Sequence, residues 1–93
     1  MDLEELKTRI MPVFRRYDVV KAALFGSMAR GDATEKSDVD LLVEFRGDKS
    51  LLDLAGLKIE IEEKIGRHVD IVTYNSIHPL LRERILKEQK TLI

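Results

Sequence analysis

Two aspartates, Asp38 and Asp40, stand one residue apart directly before an apolar run that continues through 41–43 and Phe45. A short apolar run of this kind is typical of a buried β-strand. Successive side chains of a strand point to opposite faces, so residues i and i+2 share a face. The spacing therefore predicts that both carboxylates project to the same side at the start of a strand.

Paired carboxylates at this spacing are costly unless something neutralises them. Two such groups about 4 Å apart repel by roughly 4 kcal/mol at an effective dielectric constant near 20. A bound divalent cation removes that cost, and ligands that are all oxygen favour Mg²⁺ or Mn²⁺. An isolated Asp-x-Asp is more often loop polarity, because short motifs match by chance. The neighbouring residues must therefore decide whether this pair is a metal site.

A second strand-length run, 19–25, stops at Gly26 and Ser27, after which 28–30 indicates a short helical turn ending at Gly31. Glycine lets the backbone approach a phosphate closely, a serine hydroxyl can donate to it, and a helix start favours an anion. We therefore expect a phosphate-binding turn at Gly26 and Ser27. Arg30 is a candidate phosphate contact, with a structural ion pair or a solvated charge as the equally weighted alternative.

The combined pattern of a Gly-Ser pair, an Ala-Arg-Gly triplet and a Ser-Asp-x-Asp-Leu segment resembles the minimal nucleotidyltransferase family, small relatives of the DNA polymerase beta type. The matching residues are Gly26, Ser27, Ala29, Arg30, Gly31, Ser37, Asp38, Asp40 and Leu41. The resemblance implies transfer of a nucleoside monophosphate, with ATP as the expected donor, to an acceptor with release of pyrophosphate. Two-metal catalysis, with two Mg²⁺ or Mn²⁺ ions as cofactors, would suit this chemistry.

By the same resemblance, the family's third carboxylate corresponds to Asp70 in the run 68–72. Strand alternation places Asp70 on one face with His68 and Val72. A buried, unpaired aspartate would be costly, whereas a metal beside it would compensate its charge. We expect Asp70 to be a metal ligand and the general base; an exposed aspartate on an edge strand is the alternative. His68 and His78 are assigned structural or surface roles.

Composition narrows the class of protein. The chain has 93 residues, no cysteine and a formal net charge of −1, so we expect one domain spanning 1–93. The lack of cysteine excludes thiolate catalysis and cysteine-ligated zinc, and the near-neutral charge gives no indication of bulk nucleic-acid binding. Apolar runs are far shorter than the ~20 residues that a membrane helix needs, and we expect a cytoplasmic protein.

Helix signals complete the predicted fold. Asp2 can cap a first helix, Ser50 can cap a helix that Gly66 ends, and Ser76 can cap a last helix over about 79–90. The predicted order is helix, strand, short helix, strand, helix, strand, helix. This is an α/β domain in which a small sheet is backed by helices, and the resemblance implies a mixed, polymerase beta-like sheet. Whether the second and third strands are parallel stays open.

The acceptor is inferred from the resemblance alone. Stand-alone family members are typically paired with a helical HEPN toxin, which implies an antitoxin that attaches AMP to a hydroxyl of its partner. The last helix and Leu92-Ile93 could form part of that interface or be ordinary core. A non-catalytic antitoxin that blocks its partner by contact is one alternative. Action on RNA or an aminoglycoside with another subunit is the other, and homo- or hetero-oligomers are compatible with all three.

Overall fold

The computed structural model describes residues 2–34 and 36–93. The fold is built around a mixed β-sheet. The elements follow in the order α1 (Leu3–Arg16), β1 (Val19–Phe25), α2 (Ser27–Arg30), β2 (Val39–Phe45), α3 (Leu51–Ile65), β3 (Val69–Thr73), a 3-10 turn (Tyr74–Ser76), α4 (Pro79–Glu88) and β4 (Lys90–Thr91). The predicted α/β class is confirmed, and the seven predicted helices and strands occur in the predicted order. The 3-10 turn and β4 were not predicted.

Strand pairing determines which ends of the strands meet. The sheet order is β3-β2-β1-β4, with β1 antiparallel to both β2 and β4. β2 and β3 are parallel, so α3 is the crossover between them. This arrangement brings the end of β1 to the same edge of the sheet as the beginnings of β2 and β3.

The larger core lies between one face of the sheet and the helices α1 and α3. Its buried side chains are Leu6, Ile10, Val13, Phe14, Val19, Ala22, Leu24, Val39, Leu41, Val43, Leu57, Ile61, Ile65, Val69 and Leu92.

The caps predicted for both helices are present, since Asp2 accepts from Glu5 N at 2.8 Å and Ser50 forms a capping box with Asp53. Leu92 is buried and its N–H donates to Ala22 O, so this residue is core.

The opposite face of the sheet carries a smaller cluster. Ala23, Leu42, Tyr74 and Ile77 are buried there, and the partly buried Ile85 and Leu86 pack against them from α4. The predicted apolar face of α4 is therefore only half used, because Leu80 is 86% exposed and Leu81 is 50% exposed. None of the helices in the described ranges is long and apolar enough to cross a membrane.

The end of the chain differs from the prediction at two points. α4 begins at Pro79 with His78 as its cap, because His78 Nδ1 accepts from Leu80 N at 3.1 Å. The predicted cap, Ser76, is wrong, since its hydroxyl bonds to that of Thr73 at 2.7 Å. The helix stops at Glu88 rather than near residue 90, because the next residues pair with β1 as β4.

Candidate active site

Asp40 lies where three strands meet. In the sheet register it faces Phe25 of β1 on one side and Asp70 of β3 on the other. Asp38 comes one residue before β2, and the backbone there is held because Val39 N donates to His68 O at 3.0 Å. The strand pairing therefore brings the three predicted acids to one edge of the sheet.

The Asp40 carboxyl is partly buried and lies near two other carboxylates. Burial raises the pKa of its carboxyl, and the neighbouring charges of Asp70 and then Asp38 raise this pKa further. Arg30 acts in the opposite direction. A cation placed among these acids would relieve both the desolvation and the repulsion.

A trio of exposed side chains, Asp38, His68 and Asp70, lies beside Asp40. One ligand atom from each lies within 4.8 Å of the other two. His68 Nδ1 stands 3.6 Å from Asp38 Oδ2. The sequence placed His68 on the same strand face as Asp70 but assigned it a role outside the site, and the structure places it beside two of the predicted metal ligands. Its position two residues before Asp70 was the available signal.

The predicted turn at Gly26 and Ser27 packs directly against Asp40. Gly26 has φ 70° and ψ −149°, a conformation that side chains other than hydrogen disfavour. A Cβ added at Gly26 would overlap the Asp40 carboxylate. The short helix α2 spans Ser27–Arg30 and is followed by Gly31, whose φ of 82° is left-handed, so the helical turn stops at Gly31 as predicted. The turn and the acids thus occupy one site.

The Arg30 side chain extends from the turn toward α4. It pairs with Asp32 at 3.3 Å and with Glu88 at 3.7 Å, and its side chain is 40% exposed. A groove of about 250 Å³ opens between the turn and α4, lined by Phe25, Gly26, Arg30, Leu81, Arg84, Ile85 and Glu88. The ion pairs match the alternative role given to Arg30, and its role as a phosphate contact stays a prediction.

Arg67 positions the segment that leads to Asp38. Its Nη2 donates to Thr34 O at 2.8 Å and to Ser37 O at 2.6 Å. Ser37 Oγ in turn accepts from Thr34 N at 2.8 Å. Arg67 was not predicted from the sequence, because an arginine after a helix-ending glycine is indistinguishable from an ordinary surface charge.

A known protein family matches most of the chain. The sequence pattern of the family described as Nucleotidyltransferase domain matches residues 7–92. The chain belongs to the nucleotidyltransferase domain family. It is thus a nucleotidyltransferase, and its donor substrate is a nucleotide. The recognition of the family from the Gly26–Leu41 segment is confirmed.

Individual members of the nucleotidyltransferase domain family are similar over nearly the whole chain. A candidate protein adenylyltransferase of Methanocaldococcus jannaschii is 53% identical over 88 residues, covering 95% of this chain and 95% of that protein. A solved structure of a candidate minimal nucleotidyltransferase has 45% identity and a TM-score of 0.81, covering 97% of this chain and 95% of the other.

A more distant solved structure shares the fold. It contains a tri-AMPylated HEPN toxin of Shewanella oneidensis in complex with an MNT antitoxin. The matched chain is 18% identical, with a TM-score of 0.75 and coverage of 97% of this chain and 71% of the other. At this identity, the similarity shows that the two chains share a fold and nothing finer.

Proposed function

We propose that residues 1–93 form one catalytic domain, a protein adenylyltransferase that moves AMP from ATP onto a hydroxyl of a HEPN-type toxin and thereby neutralises it. The observation that carries this proposal is the register that places Asp40 beside Asp70 and next to Gly26. This arrangement supplies charge for metal ions and a small-residue turn for phosphates at one edge of one sheet.

The donor set fits divalent metal ions. Asp38, Asp40 and Asp70 would hold two Mg²⁺ or Mn²⁺ ions, since hard cations prefer carboxylate oxygens. The raised pKa of Asp40, caused by burial and by the two neighbouring acids, is the mark of a site that lacks compensating positive charge. When bound, the ions would stabilise negative charge on the attacking and leaving oxygens of an in-line displacement.

The turn at Gly26 and Ser27 would bind the triphosphate. With no side chain at Gly26, a phosphate can approach the backbone there, and the Ser27 hydroxyl can donate to it. Arg30 would add a positive charge after exchanging its pairing with Glu88, which at 3.7 Å is loose, for a phosphate oxygen. These contacts leave the α-phosphorus near the acids, where the reaction takes place.

Asp70 is assigned as the general base. It is exposed at the start of β3 and can therefore reach the hydroxyl of an incoming protein. The hydroxyl oxygen forms a bond to the α-phosphorus, the bond between the α-phosphorus and the bridging oxygen breaks, and pyrophosphate leaves. The hydroxyl proton passes to the Asp70 carboxylate. Positioning and charge compensation supply most of the rate in transfers at phosphorus.

The acceptor is proposed from relatives. The adenylyltransferase relative from Methanocaldococcus jannaschii is named for action on proteins, and the Shewanella oneidensis complex contains an AMPylated HEPN toxin. The exposed Leu80 and Leu81 of α4 offer a place where a partner could make apolar contact.

Labelled ATP tests the function directly. The protein is incubated with labelled ATP, a divalent ion and its HEPN-type partner, alongside an Asp38→Asn, Asp40→Asn double variant. Asp48→Asn is the matched control, because Asp48 is an exposed aspartate in the loop after β2. We expect label on the partner with the native protein and the control, and none with the double variant.

The same experiment separates the alternatives. If the double variant neutralises the toxin as well as the native protein does, the chain acts by contact. If RNA and an aminoglycoside are added to the same mixture and label appears only on one of these, the proposed protein acceptor is wrong. Either result overturns the proposal of toxin AMPylation.

A further inference from the structure

His68 is the residue directly before β3, and its side chain lies beside the predicted metal site. Its Nδ1 stands 3.6 Å from Asp38 Oδ2, and its side chain is 55% exposed. The separation is longer than the 2.7–3.2 Å typical of a hydrogen bond between nitrogen and oxygen. The two groups are thus neighbours without being bonded to each other.

The spacing is that of two ligands of one ion. Ligands about 2.1 Å from a cation lie about 3.0 Å apart at right angles and about 4.2 Å apart when opposite. The 3.6 Å between His68 and Asp38 falls between these values. Asp70 completes a trio with all ligand atoms within 4.8 Å. Small rotations of three exposed side chains would close this trio around an ion.

A carboxylate also stands behind the imidazole. Glu62 Oε2 lies 4.0 Å from His68 Nε2, whereas Asp38 lies near the other ring nitrogen, Nδ1. Glu62 is itself held in place because it accepts from Val69 N at 2.9 Å. At 4.0 Å this carboxylate is not hydrogen-bonded to the ring, but its approach to hydrogen-bond distance would orient a metal-bound histidine and raise its basicity. One nitrogen of His68 therefore faces the predicted metal site, and the other faces a carboxylate that could orient the ring.

We propose that His68 supplies a nitrogen ligand to an ion shared with Asp38 and Asp70, so that the site prefers Mn²⁺ over Mg²⁺. This inference rests on the proposed metal-dependent function and adds a ligand to it. Imidazole strengthens binding of transition-metal ions, whereas Mg²⁺ is bound well by oxygen ligands alone. Replacing His68 should therefore weaken Mn²⁺ binding and leave Mg²⁺ binding nearly unchanged.

Pulsed electron paramagnetic resonance of bound Mn²⁺ reads the nitrogen ligand without reference to activity. The chain has two histidines, so an imidazole ¹⁴N coupling in the untagged protein comes from His68 or His78. His68→Asn replaces a nitrogen donor by an amide oxygen. His78→Asn is the matched control, because asparagine can still cap α4. Thermal unfolding in chelator verifies that both variants are folded.

We expect the ¹⁴N coupling in the native protein and in His78→Asn and its loss in His68→Asn. The Kd for Mn²⁺ should rise about tenfold in His68→Asn, with the Kd for Mg²⁺ changed less than about twofold. Mn²⁺ binding that requires Asp38 but shows no ¹⁴N coupling overturns the role of His68 and leaves the proposed function standing. If Mg²⁺ binds but Mn²⁺ does not, only the role of His68 is overturned. If neither ion binds, or both bind equally to an Asp38→Asn, Asp40→Asn variant, both proposals are overturned.

Discussion

The backbone of Gly26 lies against the carboxylate of Asp40, with no room for a side chain between them. The Gly26–Ser27 turn and the half-buried acid therefore determine each other's positions. Because Asp40 also faces Asp70 across the parallel strands, a shift at Gly26 would be transmitted to the whole group of acids.

Gly26→Ala should both destabilise the fold and abolish most transfer. The positive φ of 70° costs about 1–3 kcal/mol for a residue with a Cβ, and the clash with Asp40 adds to it. Gly47→Ala is the matched control, because Gly47 has φ 72° and no atom within 4 Å of an added Cβ. Denaturant unfolding and transfer rates should show the larger stability loss and the loss of activity only at Gly26. Equal effects at both positions would contradict the close packing.

Asp40→Asn should change how stability depends on pH. The pKa of Asp40 is raised above 3.8 in the folded protein, so the folded state binds this proton more tightly than the unfolded chain. Its contribution is favourable below about pH 3.8 and is lost as the pH rises through the raised pKa. In chelator, the variant should therefore gain stability relative to the native protein as the pH rises above about 3.8.

The comparison must be made as a difference between the two proteins. The pKa of Asp53 is lowered by hydrogen bonds from Ser50, so this residue loses its stabilising contribution as the pH falls. That effect is common to both proteins and cancels. A difference in unfolding free energy that stays constant with pH would show that Asp40 ionises as freely as an isolated aspartate.

Asp70→Asn should separate binding from transfer. Loss of a general base typically slows a reaction by about 10²–10⁴-fold, whereas the turn at Gly26 and Ser27 is untouched. Equilibrium binding of a nonhydrolysable ATP analogue should change little while the transfer rate falls by at least about 10²-fold. Turnover at the native rate would remove Asp70 from the role of base.

Ser27→Ala should weaken nucleotide binding by roughly 0.5–1.5 kcal/mol, the usual value of one hydrogen bond. A bond to a charged phosphate could raise this cost. Ser27→Thr keeps the hydroxyl and should retain most of the affinity. Calorimetric titration with an ATP analogue measures both variants, and an unchanged affinity in Ser27→Ala would exclude the hydroxyl from the phosphate site.

Arg67→Ala should loosen the segment before Asp38. The two bonds from Arg67 to Thr34 O and Ser37 O are lost together, so backbone amides in 31–37 should exchange faster with deuterium. Arg15→Ala, an exposed arginine of α1, should leave that exchange unchanged. Equal protection in the two variants would show that Arg67 does not hold the segment.

Local patterns were sufficient to predict most of the fold. The capping pair at Ser50 and Asp53, the helix end at Gly66 and the strand leading from Asp40 each depend on residues close in sequence. β4 was missed because Lys90–Thr91 is too short to show any periodicity. Its existence depends on pairing with Ala23 and Leu24 of β1, which no local pattern reveals.

The candidate site was predictable as a set of residue types but not as a geometry. The family pattern selected Gly26, Asp38 and Asp40, and strand alternation placed Asp70 and His68 on one face. The approach of His68 to Asp38 depends on the parallel register of β2 and β3, in which Val39 is opposite Val69. Register across a crossover is a long-range property that a local pattern does not show. His68 was assigned a role outside the site because the hard cations of carboxylate sites prefer oxygen ligands.

The α3 crossover makes catalysis conditional on complete folding. Asp40 and Asp70 become neighbours only after the whole helix has docked and β3 has paired alongside β2. Contacts between segments so distant along the chain form at a high entropic cost. A chain in which β3 has not yet paired lacks Asp70 beside the other two acids, and therefore lacks the proposed general base.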